Sequence, residues 1–256
     1  MDVLTDLLSP GILLYAAMVT LISGFVKGSV GFGMPLVMIS GISVLVEPRL
    51  VVAGIVLPIF LSNGLQILRA GLADSWRAAV EYRRYVGIVC VMILISAQFL
   101  TVIPARAMYV VLGVPVVALS VMQLLGLRFS IPPHRRTQAD WGLGMASGIL
   151  GGLAGTWGPP TVLYLLALDT PKARQMAVQG VVYGMGSAAL LLGHLQSGIL
   201  NDDTLPFSVF LLAPAALGMW VGFRLGDRMD QEKFRRATLW VLVIAGLNLI
   251  RRGVLG

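Results

Sequence analysis

Charge is what this chain of 256 residues has least of: Asp, Glu, Lys and Arg together make up 12% of it. An ordinary soluble domain carries about 25%. With 57% hydrophobic residues and a mean hydropathy of +0.87, the chain cannot clothe a globule in polar groups. A water-soluble domain is therefore excluded, and lipid must be the solvent. Cysteine is nearly absent as well. Cys90 is alone and lies within an apolar run, which excludes a disulfide framework and a cysteine metal site. Only two histidines occur, and no carboxylate stands well inside an apolar segment. A His/Asp/Glu ligand cluster for a divalent cation is thus missing, as is the buried acid that proton-coupled pumps usually display. The opening Met1-Asp2-Val3-Leu4-Thr5-Asp6 is acidic and lacks the basic region of a secretory signal, so the first apolar segment is expected to be retained.

What is present is long apolar runs. Segments 86–103, 108–127, 205–223 and 238–250 hold few or no charges, and most approach the ~20 residues that cross a bilayer. The net charge of +7 does not point to nucleic acid, because the basic residues sit in the turns between runs, where they determine topology. The richest turns carry Arg69, Arg77, Arg83 and Arg84; Arg128, Arg135 and Arg136; and Arg224, Arg228, Lys233, Arg235 and Arg236. All three are placed on the cytoplasmic side. The turn 197–204, with Asp202 and Asp203 and no Lys or Arg, goes outside, as does the N-terminus.

Two apolar segments are interrupted in the same way. The first reads Ser23-Gly24-Phe25-Val26-Lys27-Gly28-Ser29-Val30-Gly31-Phe32-Gly33-Met34-Pro35. The second reads Ser147-Gly148-Ile149-Leu150-Gly151-Gly152-Leu153-Ala154-Gly155-Thr156-Trp157-Gly158-Pro159-Pro160. In register, Ser23 meets Ser147, Gly24 meets Gly148, Gly28 meets Gly152, Gly31 meets Gly155 and Pro35 meets Pro159. A short charged turn with proline follows each, Glu47-Pro48-Arg49 and Asp169-Thr170-Pro171-Lys172. Segments 141–155 and 158–168 are each too short to span independently, at ~1.5 Å per residue, and read as a hairpin that enters and returns. The first hairpin covers 11–46, followed by spans 50–68, 86–103 and 107–127. The second is followed by 176–196, 205–223 and 238–250.

The expected fold is an all-α polytopic membrane protein with two inverted repeats, 1–128 and 129–256, each a broken-helix hairpin plus three transmembrane helices. One membrane domain holds both. Two features run against this layout: Arg251 and Arg252 end up outside, and 11–26 is long enough to cross alone.

Glycine and proline in mid-helix free backbone polar groups that lipid cannot satisfy, so such breaks persist only inside protein or along an aqueous cavity. The N–H groups that open the next half-helix attract anions. Pro35, Pro159 and Pro160 suit its first turn. Duplicated breaks of this kind point to the binding site of a secondary transporter, although glycines also serve close helix packing. Lys27 lies in the first break, where an ionisable group is costly and marks function; its counterpart is Gly151. The expected substrate site therefore comprises Lys27 as counter-charge and Gly28, Gly31, Gly33, Gly152, Gly155 and Gly158 as places where backbone meets ligand. Asn63, Gln66, Thr156, Gln179 and Tyr183 are its polar walls. Asn63 and Gln66 share one helical face near Ser62, and Gln179 and Tyr183 share another, with Ser187 a turn beyond. Gln98 and His194 are weaker candidates, and interhelical hydrogen bonding explains each of these polar residues equally well.

At these motifs the chain resembles the TauE/SafE family, the sulfite exporter or anion permease group. The paired Ser-Gly…Gly…Gly…Pro hairpins, 23–35 and 147–160, carry the likeness, together with the charged proline turns, the overall length and the related half-endings 104–123 and 231–251. The resemblance implies a multi-pass permease of the inner (plasma) membrane that moves sulfite, sulfoacetate or a related sulfur-containing anion, usually outward. Its partners would be a small anion and the lipid bilayer, with no nucleic acid, no cofactor and no metal; a homodimer is left open. The family pattern would favour a small residue where Lys27 stands, a departure that favours an anion and leaves its identity open.

Three other classes compete. An intramembrane serine protease could use Ser147 and His194, but the same Ser-Gly recurs at Ser23-Gly24 with no histidine in that half. An anion channel would differ from a carrier in its conductance. A divalent-cation permease would need a cluster of His, Asp and Glu ligands that the spans lack, and Lys27 would repel the cation.

Overall fold

The computed structural model describes residues 8–98, 105–127, 130–154, 157–196 and 198–255, and among them there is helix and no strand. The helices are α1 (Pro10–Val30), α2 (Met34–Ile42), α3 (Pro48–Ala70), α4 (Leu72–Glu81), α5 (Arg83–Gln98), α6 (Ala105–Leu124), α7 (Arg136–Ala154), α8 (Gly158–Ala167), α9 (Lys172–Gln196), α10 (Leu205–Phe210), α11 (Leu212–Arg228) and α12 (Gln231–Leu255). Among the described residues five stretches are long and apolar enough to cross a membrane: Pro10–Val30, Leu50–Ala70, Lys172–Leu192, Leu205–Arg228 and Gln231–Leu255. Large apolar side chains such as Leu14, Ile22, Trp220, Trp240 and Ile244 are exposed on them, as a lipid-solvated surface requires. The chain is an all-helical, multi-pass membrane protein.

Contacts divide the chain into two units: 1–69 with 184–228, and 70–183 with 229–256. Each unit joins the interrupted segment of one half of the sequence to a helix from the other half. In the first unit α1 packs along α11. The packing is backbone against backbone: a Cβ on Gly24 would lie 2.5 Å from the Ala215 carbonyl oxygen, and one on Gly28 would lie 2.4 Å from that of Met219. Seen from α11, a Cβ on Gly218 would meet the Leu21 oxygen at 2.1 Å, and one on Gly222 the Phe25 oxygen at 2.2 Å. Small residues at four-residue spacing on both helices create this approach, which drives association where lipid supplies no hydrophobic force. Around it Ala16, Met34, Met38, Ile42, Ile55, Ile59, Phe207 and Leu211 form a buried core.

In the second unit α7 packs on α5 and α6 on α12. Gly148 faces Val89 and Met92, and Gly113 faces the Gly246 carbonyl. The rings of Tyr85 and Tyr164 stack at 4.3 Å.

The first interruption is narrower than the glycine pattern suggests. Helix α1 runs unbroken through Ser23, Gly24 and Gly28 to Val30, and the chain leaves helical geometry only at 31–33. Gly31 and Gly33 both have positive φ, 86° and 94°, which glycine adopts without steric cost. The Gly31 N–H closes α1 on the Lys27 carbonyl at 2.7 Å. In the second half α7 begins at Arg136, five residues before the expected segment, and α8 ends at Ala167. Asp169, at φ 51°, then turns the chain into the Thr170-Pro171 corner. The basic stretch 69–84 is not a simple turn but holds α4, with Leu72, Trp76 and Val80 exposed along one stripe.

Candidate functional site

In the first unit Lys27 stands in the last turn of α1, just before the Gly31–Gly33 break, and is 3% exposed. An ammonium in such surroundings needs strong hydrogen-bond acceptors, because burying a charge without them costs far more than the fold can recover. Its Nζ donates to Asn63 Oδ1 at 2.7 Å. The Asn63 amide continues the chain, with Nδ2 donating to Ser187 Oγ at 3.0 Å. The Ser187 hydroxyl in turn donates to the Gly184 carbonyl at 3.0 Å. Asn63 and Ser187 are each 1% exposed, and Gln66 is equally buried one turn further along α3. The last turn of α1 before the break therefore begins a polar chain of cation, amide and hydroxyl.

Two electrostatic features of the backbone meet there. The carbonyl end of α1 favours the Lys27 ammonium, and the amide end of α2 favours a negative charge. Of the first three residues of α2, Met34 and Leu36 carry an N–H and Pro35 does not. Gly28 sits on the face of α1 that α11 covers, so helix packing accounts for that glycine.

The second unit builds its break differently. Ser147 Oγ lies 2.8 Å from the Trp157 carbonyl and 2.7 Å from Thr161 Oγ1. Thr161 Oγ1 donates to the same carbonyl at 2.9 Å, and the Tyr85 hydroxyl donates to Thr161 Oγ1 at 3.0 Å. The Tyr183 hydroxyl donates to the Gly158 carbonyl at 3.3 Å, with its ring 6.5 Å from that of Trp157. Gly158 is the first residue of α8, and the next two, Pro159 and Pro160, have no N–H. This break is strapped by hydroxyls and offers few backbone donors. Gly155 and Thr156 lie outside the described residues, and for Gly152 only its place in α7 is described. The Ser147 hydroxyl is thus engaged in the strap, and the His194 side chain lies outside the described ones.

Gln179 is fully buried on α9, and neither its Nε2 nor its Oε1 has a hydrogen-bond partner among the described residues. Gln175, one turn earlier, is in the same state. The sequence reading passed over it because it follows Lys172 and Arg174 and looks like part of a charged turn. Ser187 belongs to the Lys27 chain more directly than its sequence position suggests. Asp140 was also missed. It is buried in the second turn of α7, where it accepts from the Tyr164 hydroxyl and lies 3.6 Å from Arg84. Its position at the start of an apolar segment was the signal. Among the described residues no group of three His, Cys, Asp or Glu is placed to hold a metal ion.

A multi-pass helical protein with a buried cation beside broken helices has the build of a membrane transporter. The family model described as sulfite exporter TauE/SafE matches residues 16–249, nearly the whole chain. The protein belongs to that family, and it is a transporter of the exporter type rather than an enzyme. Comparison with curated proteins and with solved structures finds no match.

Proposed function

We propose that the protein is a secondary carrier that exports sulfite or a small organosulfonate across the plasma membrane. The observation that carries this reading is the buried Lys27–Asn63–Ser187 chain beside the Gly31–Gly33 break. Lys27 supplies the counter-charge, and Asn63, Gln66 and the opening amides of α2 supply directional hydrogen bonds to oxyanion oxygens. In the second unit the residues this reading assigns to substrate are Gln179, Tyr183 and Gly158 and, by sequence register alone, Gly152, Gly155 and Thr156. Export needs no coupling ion. An anion leaving an inside-negative cell gains about 2.3 kcal/mol per charge per 100 mV.

Two inverted repeats, meeting near the bilayer midplane, fit this mechanism. Asn63 and Ser187 are 124 positions apart, the same interval that relates Ser23 to Ser147. A hydrogen bond between equivalent residues is what a twofold pseudo-axis produces where it passes through a protein. The packing of α1 on α11 and of α7 on α5 supports the same reading, since each pairs one half's hairpin with the other half's second span.

The test is sulfite efflux from proteoliposomes loaded with the purified protein. Lys27→Ala is expected to raise the KM for sulfite roughly tenfold, the loss of one charge-assisted hydrogen bond, while insertion and thermal stability are kept. Unchanged KM would remove Lys27 from the site. Single-protein currents far above carrier turnover would replace the carrier with a channel.

A further inference from the structure

We infer that Gln175 and Gln179 form a second oxyanion subsite, selective for a singly protonated anion such as hydrogensulfite. The inference deepens the anion-carrier reading and rests on it. The two residues are four apart on α9 and so share one face, with Tyr183 next in the same file. Both are 0% exposed. All four of their amide atoms, two Nε2 and two Oε1, are buried without a hydrogen-bond partner among the described residues.

An orphaned buried polar group costs about 1–3 kcal/mol, and native proteins keep few of them. Methionine or leucine would fill the same volume on a helix at no such cost. A pair of such groups, one turn apart and with every valence open, is a recognition surface held ready for a solute. Tyr183 differs, because its hydroxyl is already committed to the Gly158 carbonyl.

The chemistry of the pair defines what it takes. Each amide presents a donor and an acceptor side by side. An anion with only acceptors, such as nitrate or a fully ionised sulfite, satisfies the two Nε2 groups and leaves both Oε1 atoms orphaned. A singly protonated oxyanion has both halves of the pattern: its bare oxygens accept from the Nε2 groups and its one hydroxyl donates to one of the two Oε1 atoms, leaving a single acceptor open rather than two. A site built to pair a solute O–H discriminates strongly against the analogue that lacks it. Neutral amides also add no charge, so the solute is held by hydrogen bonds that are easily exchanged during transport.

The experiment uses the full-length protein in proteoliposomes at slightly acidic pH, where hydrogensulfite predominates. It compares wild type with Gln175→Met and Gln179→Met. Each variant is expected to raise the KM for sulfite about tenfold and to lower the preference for sulfite over competing nitrate. The melting temperature without substrate should be unchanged or higher, since an orphaned amide has been removed. Gln175→Glu, which keeps acceptors but loses both amide donors, should also transport poorly. Unchanged KM and nitrate selectivity overturn the subsite, whether the melting temperature rises (amides that only fill space) or falls (amides that brace the helix). Absence of sulfite flux from wild type, by contrast, would defeat the carrier reading itself.

Discussion

The two interruptions share a sequence pattern and differ in what their backbones are free to do. In the first unit, the break is two left-handed glycines with Lys27 at its edge, and the polar chain leads away from it through Asn63 to Ser187. In the second, the Trp157 and Gly158 carbonyls are held by Ser147, Thr161 and Tyr183, and two prolines remove the donors of α8. The first carries a buried charge, the receptor proposed above, and the second is braced by hydroxyls. Duplicated sequence therefore does not mean duplicated chemistry.

That contrast can be broken most severely by filling the helix contact that holds the charged side in place. Gly28→Leu is expected to prevent recovery of folded protein, because its Cβ alone would meet a backbone oxygen at 2.4 Å that cannot move aside. Overpacking of this kind costs about 1–3 kcal/mol or more, and size-exclusion profiles of detergent-solubilised protein would report it.

Next in size is a reciprocal pair of variants. Asn63→Leu should raise the KM for sulfite about tenfold or more, since it removes the Oδ1 that accepts from Lys27 and the Nδ2 that donates to Ser187. Ser147→Ala should cost about 1 kcal/mol of stability and leave the KM unchanged. Equal effects of the two on KM would erase the distinction between receptor and brace. The same Ser147→Ala protein is expected to keep its transport in the efflux assay, as a brace permits and a nucleophile would not.

Gly64→Ala sharpens the glycine argument from the opposite direction. It has open space around its would-be Cβ and should stabilise α3 by about 0.5–1 kcal/mol, seen as a higher melting temperature.

The smallest effect concerns Asp230, which caps α12 by accepting from the Lys233 N–H at 2.8 Å. That hydrogen bond holds its carboxyl below the usual carboxylate range. Its contribution is present above the ordinary carboxylate pKa and fades as pH falls through the lowered one. Asp230→Asn should flatten the acid limb of the melting-temperature profile slightly and leave transport alone.

Much of the architecture could be read from residues that are out of place in lipid. Lys27 announced itself as a charge in an apolar run, and the proline-ended glycine clusters located both breaks to within a few residues. The exact position of the first break was hidden, because Gly24 and Gly28 answer to Ala215, Met219 and Gly222, nearly 200 positions away. Local sequence cannot tell a glycine that bends a helix from one that admits a neighbour. Asn63 and Gln66 stood out as a polar face of α3, but nothing local paired either with Lys27; the fold brings Lys27 and, from α9, Ser187 to Asn63. Gln175 was concealed for a different reason: charged neighbours made a buried amide look like a turn.

Because α1 and α11 touch main chain to main chain along two turns, neither can slide or tilt without the other. They form a single stiff strut. Helix α2 leans back on that strut, with the Tyr15 hydroxyl donating to the Gly41 carbonyl at 3.0 Å and Met34, Met38 and Ile42 in the core beside Ala16, so the two left-handed glycines aim its leading amides from a fixed footing.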